Sequence, residues 1–180
     1  LGLTCHAVFL LFVGTTRLKK SPIFILKGLA APLLTAFSTS SSAATLPITM
    51  TCVEEELGVK KETAKFVLPL GATINMDGTA LYESVAAIFI AQAYNIHLTL
   101  TQQIIIFMTA SLAAIGAAAI PGAGLITMSI VLNAVGLPLD GIGLILAVDR
   151  ILDMFRTTVN VFGDCVGTIF VDSFLNKEKV

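Results

Sequence analysis

Charge is scarce in this sequence. Asp, Glu, Lys and Arg make up 13% of the 180 residues, against 56% hydrophobic ones, where an average soluble chain carries about 25% charged residues. Basic residues are absent altogether between Lys65 and Arg150. With a net charge of −1 and no dense basic cluster, nothing here tracks a phosphate backbone, and nucleic acid is excluded as a partner. The three cysteines, Cys5, Cys52 and Cys165, lack metal-ligand spacing and cannot all pair within the chain, so they read as packing residues. There is no GxSxG, and no initiating Met, charged leader or cleavage site precedes the apolar run at Leu1. The chain reads as a piece of a longer protein.

What is present is long apolar runs with polar interruptions. The last run carries Asp149, Asp153, Arg156, Asn160 and Asp164 at spacings of 4, 3, 4 and 4, which is one stripe on one helix face. Charges at membrane depth face a protein interior or a water-filled cavity and usually serve a substrate or ion. The alternative, a soluble helix with a solvated face, sits badly with the apolar flanks.

The positive-inside rule orders the runs. The loops around 17–27 and 54–65 and the C-terminal end carry the basic residues and are expected in the cytoplasm; the loops near 94–101 and 133–143 have no Lys or Arg. Residues 1–16 then read as the end of a transmembrane helix. Residues 22–55 enter and return from the cytoplasmic side, with Ser38–Ser42 at the tip. Residues 62–93 are a transmembrane helix broken around Gly71–Thr79. Residues 100–135 re-enter from outside with Ile120-Pro-Gly-Ala-Gly124 at the tip, as an external gate, and residues 139–176 are the last transmembrane helix. The expected fold is an all-α membrane protein. Re-entrant helical hairpins and discontinuous helices form an inverted repeat, the arrangement that points to a secondary-transporter site at the midplane. Ordinary kinks in full spans are the competing reading.

Ser40-Ser-Ser-Ala-Ala-Thr-Leu-Pro47, Gly71-Ala-Thr-Ile-Asn-Met-Asp-Gly-Thr79, Gly122-Ala-Gly124 and Asp153-Met-Phe-Arg-Thr-Thr-Val-Asn-Val-Phe-Gly-Asp164 together resemble the dicarboxylate/amino acid:cation symporter family, which includes the excitatory amino acid transporters. The resemblance runs over nearly the whole chain. It implies the C-terminal part of a transport domain that slides against a scaffold in a homotrimer, the scaffold lying outside this chain.

Arg156 is the expected anchor: a planar guanidinium binds a carboxylate bidentately, and a buried Arg needs an anionic partner. In the family the matching Arg meets the side-chain carboxylate of the substrate; a structural pair with Asp153 is the alternative. Asp153 accepts the substrate ammonium, by charge logic and by resemblance. Asn160 reaches the main-chain carboxylate, and Thr157 and Thr79 add hydroxyls. The resemblance adds Met76 and the hairpin tips, Ser41 and Ser42 in one and Ile120 to Gly124 in the other. It implies one sodium site from Gly71, Asn75, Asn160 and Asp164, a second from carbonyls of Thr73, Ala114, Ile115 and Ala117, and a third using Asn75 and Asp77 with residues of an earlier span. Asn75 and Asp77 could also cap the break. Glu83, in an apolar helix where lost hydration disfavours the charged form, is the expected proton carrier; a purely structural acid is the alternative. Many relatives carry a further Arg at the position of Ser40 or Met154, and this chain has neither. His6 and His97 have no partner at ligand spacing and are read as bland.

The expected function is secondary active transport of acidic amino acids, glutamate or aspartate, across the plasma membrane by a multi-pass protein. Na⁺ symport drives it, with H⁺ cotransport, K⁺ countertransport and an elevator motion implied by the resemblance. No catalytic residue and no cofactor beyond Na⁺ as coupling ion is expected. Alternatives are a proton-coupled C4-dicarboxylate or a neutral amino acid carrier of the same family and, from another class, an intramembrane hydrolase.

Overall fold

The computed structural model describes residues 1–117 and 119–175. Nine α-helices form there: α1 (Gly2–Leu18), α2 (Pro22–Gly28), α3 (Ala30–Thr39), α4 (Ser42–Glu55), α5 (Lys61–Ile74), α6 (Asp77–Ala93), α7 (Leu100–Ile115), α8 (Ala123–Val135) and α9 (Ile142–Leu175). No strand occurs among the described residues. Residue 176, the end of the expected last segment, lies outside them.

The boundaries follow local chemistry. α1 stops where Lys19 turns left-handed, and α2 starts on Ser21, whose hydroxyl accepts from the Phe24 N–H at 3.2 Å. Pro22 takes the first helical position, where its missing N–H leaves nothing unpaired. α3 stops at Ser40, again left-handed (φ 51°), and Ser41 caps α4 by accepting from the Ala44 N–H at 3.2 Å. The serine run therefore makes one helix stop and the next start. α7 opens on a capping box between Thr99 and Gln102. The interruption between α5 and α6 is narrower than the polar run 71–79 suggests: only Asn75 and Met76 fall between the two helices. Gly71, Ala72 and Thr73 stay helical, since a glycine costs a helix only about 1 kcal/mol relative to Ala and packing outweighs it.

Two apolar clusters sit side by side. One gathers α1 to α5 and the C-terminal half of α9, around Ile25, Leu29, Leu68, Val161, Phe162 and Ile169. The other gathers α6, α7, α8 and the start of α9, around Ile90, Ile106, Met128, Leu132 and Ile145. α9 belongs to both, and its polar stripe falls between them. Small residues, Ala86, Ala87 and Ala110, fill close helix contacts in the second cluster, as packing in lipid favours. The outer surface is apolar, with Phe12, Phe66, Leu100, Phe107, Leu112 and Ile126 exposed.

One described helix segment, Leu139–Leu175, is long and apolar enough to cross a membrane, and α2 with α3 pass the same test as a pair bent by 57°. At 1.5 Å per residue a 34-residue α9 measures about 51 Å. Elsewhere the breaks divide the apolar runs into shorter helices: α3 and α4 pack against each other, as do α7 and α8.

Candidate substrate and ion site

Arg156 lies on α9, 1% exposed, between two carboxylates of its own helix. Its Nη1 donates to Asp149 Oδ1 at 2.9 Å and its Nε to Asp153 Oδ1 at 2.9 Å. The spacings explain this: Asp153 is one turn back and Asp149 two turns back on the same face. Tyr82 on α6 closes the group, its ring 4.3 Å from the guanidinium carbon and its hydroxyl donating to Asp149 at 2.8 Å. The third guanidinium nitrogen, Nη2, is buried with no hydrogen-bond partner among the described residues, and so is Ser40 Oγ. An unmet buried polar group costs about 1–3 kcal/mol, more when charged.

Both unmet groups line one small cavity of 20 Å³, with Ser42, Met76, Thr79, Ala117, Ala119, Ile120, Ala123, Gly124, Asp153, Thr157 and Asn160. Nine of the ten residues expected at a substrate site line it; the tenth, Ser41, stands beside it, donating to Ala119 O at 2.8 Å. That bond joins the α3–α4 turn to the loop before α8. A second tie holds the same loop: the Gly122 N–H donates to Asp153 Oδ2 at 2.9 Å. Gly124 lets the start of α8 rest on the guanidinium, since a Cβ there would stand 3.0 Å from Arg156 Cζ. The space holds about one water. Asn160 ties α9 to the α5–α6 break: its Oδ1 accepts from the Gly78 N–H at 2.7 Å and its Nδ2 donates to Thr79 Oγ1 at 3.1 Å.

The residues expected to hold ions are partly gathered. Asn75 Nδ2 donates to Asp164 Oδ1 at 3.0 Å, and both line a 270 Å³ cavity with Gly71. A Cβ on Gly71 would stand 2.6 Å from Asp164 Oδ1, so glycine is what allows the carboxylate to sit against α5. The Asn160 side chain turns away from this group toward Met76 and Thr79. Of the second expected set, Ala114 and Ile115 line a 690 Å³ cavity with Asn75 and Asp77, Ala117 lines the small cavity, and Thr73 lines neither, its hydroxyl donating to Leu70 O at 2.9 Å. Asp77 accepts from the Gly78 N–H at 2.9 Å and meets His6 Nε2 at 2.5 Å. His6 is thus not the bystander its sequence position suggests. Glu83 is fully buried; Thr127 on α8 donates to one carboxyl oxygen, and the other has no partner among the described residues.

Residues 1–174 match the family described as the sodium:dicarboxylate symporter family. The chain belongs to that family. It is 54% identical over 169 residues to an excitatory amino acid transporter of Caenorhabditis elegans, covering 92% of this chain and 33% of the relative. It is 56% identical over 180 residues to human excitatory amino acid transporter 1, covering 98% of this chain and 33% of the relative. For human excitatory amino acid transporter 3 the identity is 53% over 178 residues, with 98% of this chain and 34% of the relative covered. The chain therefore spans about one third of the length of these curated relatives.

Four residues of this candidate site go beyond the sequence reading. Asp149 shows in the stripe but carries no assigned role; it supplies the second carboxylate on Arg156. Tyr82, Thr127 and His6 give no local signal, because their partners lie 67, 44 and 71 residues away in the chain.

Proposed function

We propose that this chain is the ligand-binding part of a sodium-coupled carrier of acidic amino acids in the plasma membrane. The observation that carries the reading is the buried Arg156, its Nη2 unmet in a cavity lined by hydroxyls, an amide and the start of α8. The relatives' names, excitatory amino acid transporters, support an acidic substrate.

The chemistry follows from the contacts. A substrate side-chain carboxylate takes the guanidinium, and its ammonium takes Asp153. Asp153 then gives up one or both of its present partners, Arg156 Nε and the Gly122 N–H. Ligand arrival is therefore coupled to the tie that holds the loop before α8. Asn160 and the N–H groups at the tips serve the main-chain carboxylate, helix N-termini being suited to anions. Sodium takes hard oxygens: the Asp164 carboxylate and Asn75 amide oxygen beside Gly71, and Asp77 with oxygens from elsewhere in the full protein. In this reading α3–α4 and α7–α8 are the two re-entrant hairpins of an inverted repeat, the whole protein is a trimer moving by an elevator, and Glu83 carries the coupling proton, with K⁺ returning the carrier.

Uptake of radiolabelled aspartate, glutamate, alanine and succinate by the full-length protein, with and without sodium, tests this. Sodium-dependent uptake of the two acidic amino acids is expected. Succinate uptake driven by a proton gradient alone would replace the reading with a dicarboxylate carrier. A hydrolase has little support: Ser40–Ser42 meet no His or Lys among the described contacts, and His6 is engaged by Asp77.

A further inference from the structure

The element between α1 and α3 has charges and exposed apolar groups that the site does not use. α2 is held in place by one face only: Ile25 and, just after it, Leu29 are fully buried in the first cluster. Its other face presents Ile23 (64% exposed), Phe24 (40%) and Leu26 (42%). Around these stand Lys19, Lys20 and Lys27, all exposed, and none of the three makes an ion pair among the described residues. Lys20 Nζ lies 5.4 Å from the Phe24 ring, beside the apolar face. Arg17 stacks on Phe170 of α9 at 4.2 Å, which fixes the turn against the C-terminal end of that helix. Near the same end Thr63 of α5 donates to Asp172 at 2.9 Å, which brings the Lys60, Lys61 and Lys65 region to it. The first acid in the chain is Glu54, and Glu56 packs beside Gly28 at the end of α2, but no acid pairs with Lys19, Lys20 or Lys27 among the described residues.

Large apolar side chains pointing outward, flanked by lysines without an ion pair among the described residues and backed by a buried anchor, suit a short element that lies in a membrane interface. The lysines decide which lipid. A basic cluster at a membrane surface attracts anionic headgroups, by about 5-fold for each Lys or Arg, whereas a zwitterionic headgroup offers no net charge to select. We infer that the turn Arg17–Lys20 with α2 is a binding surface for anionic phospholipid headgroups of the cytoplasmic leaflet. Ile23, Phe24 and Leu26 enter the acyl boundary, and Lys19, Lys20 and Lys27 hold the phosphates. This rests on the membrane-carrier reading and adds to it a lipid preference located at one element.

The test uses the full-length protein with Ile23→Trp, reconstituted into phosphatidylcholine vesicles containing either dibromo-phosphatidylserine or dibromo-phosphatidylcholine, with the unsubstituted protein subtracted. Bromine quenches indole only on contact. The expected result is half-maximal quenching at a mole fraction of dibromo-phosphatidylserine at least ~5-fold lower than of dibromo-phosphatidylcholine. That preference should shrink in 0.5 M NaCl, because exposed charges are screened, and vanish in Lys19→Gln/Lys20→Gln/Lys27→Gln. Equal quenching by both lipids, or a preference that survives the triple substitution, overturns the inference. So does the absence of quenching by either lipid in protein that still performs sodium-dependent uptake, which would mean that α2 is covered by another part of the protein. Loss of uptake and of quenching together would overturn the carrier reading as well.

Discussion

Replacing Arg156 by Cys leaves Asp149 and Asp153 buried on one helix face without their shared cation. Removing one partner of a buried ion pair typically costs about 3–5 kcal/mol, so Arg156→Cys should lower acidic amino acid uptake by roughly 10²-fold or more and reduce thermal stability. Small neutral amino acids, which bring no second carboxylate, should be tolerated better than glutamate. Unchanged glutamate uptake in this variant would remove the substrate assignment. Glu83→Gln tests a different role, for it keeps the shape and the hydrogen bond from Thr127 but cannot exchange a proton. Net uptake should lose its pH dependence while substrate exchange survives; wild-type pH dependence in Glu83→Gln would make Glu83 structural. At this scale the sequence is informative wherever partners share a helix. The 4-3-4-4 spacing from Asp149 to Asp164 puts Arg156 on one helix face with Asp149 and Asp153 without any knowledge of the fold. It says nothing of Tyr82, Thr127 or His6, whose roles depend on how α6, α8 and α1 pack against distant segments.

Two hydrogen bonds hold the loop before α8: Ser41 to Ala119 and Gly122 to Asp153. If substrate competes for Asp153 and closure then reforms over it, the loop should be accessible without ligands and protected with them. A cysteine at Ala123 in the full-length protein should react with an external thiol reagent in the absence of sodium and substrate, and be shielded when both are present. Protection independent of either ligand would count against gating here. Gly124→Val should weaken substrate affinity by about 10-fold or more, because its side chain would collide with the Arg156 guanidinium and overpacking costs ~1–3 kcal/mol; a concentration series of uptake measures it. The interruptions at Ser38–Ser42 and Ile120–Gly124 are legible in the sequence, whereas the caps at Ser21, Ser41 and Thr99 show only in the structure. The width of the α5–α6 break is not legible in the sequence either. Gly71 and Thr73 look like breakers by propensity, but the close seat of Asp164 against Gly71 keeps them in the helix.

At the scale of the molecule two apolar clusters hold the helices together, and the outer face of exposed Phe, Leu and Ile needs lipid or more protein to cover it. The relatives are about three times as long as this chain, which covers 33% of each of the first ones compared. The 180-residue piece alone, reconstituted in vesicles, should therefore show no sodium-dependent uptake and no trimer by crosslinking. Robust uptake by the piece would mean that the remaining two thirds are dispensable for transport.

α9 runs without a break from Ile142 to Leu175, and this sets a rule on sequence length. Each residue turns a helix by about 100°. A single residue inserted after Phe155, unless absorbed in a π-bulge, would swing Asp149 and Asp153 a quarter-turn or more away from Arg156 and Asn160. The stretch from Asp149 to Asp164 thus depends on register as well as on residue identity: a residue added or removed there displaces every partner beyond it. Insertions should be tolerated at the 94–99 and 136–141 turns and nowhere along that stretch, which a one-residue insertion scan read by sodium-dependent uptake would map directly.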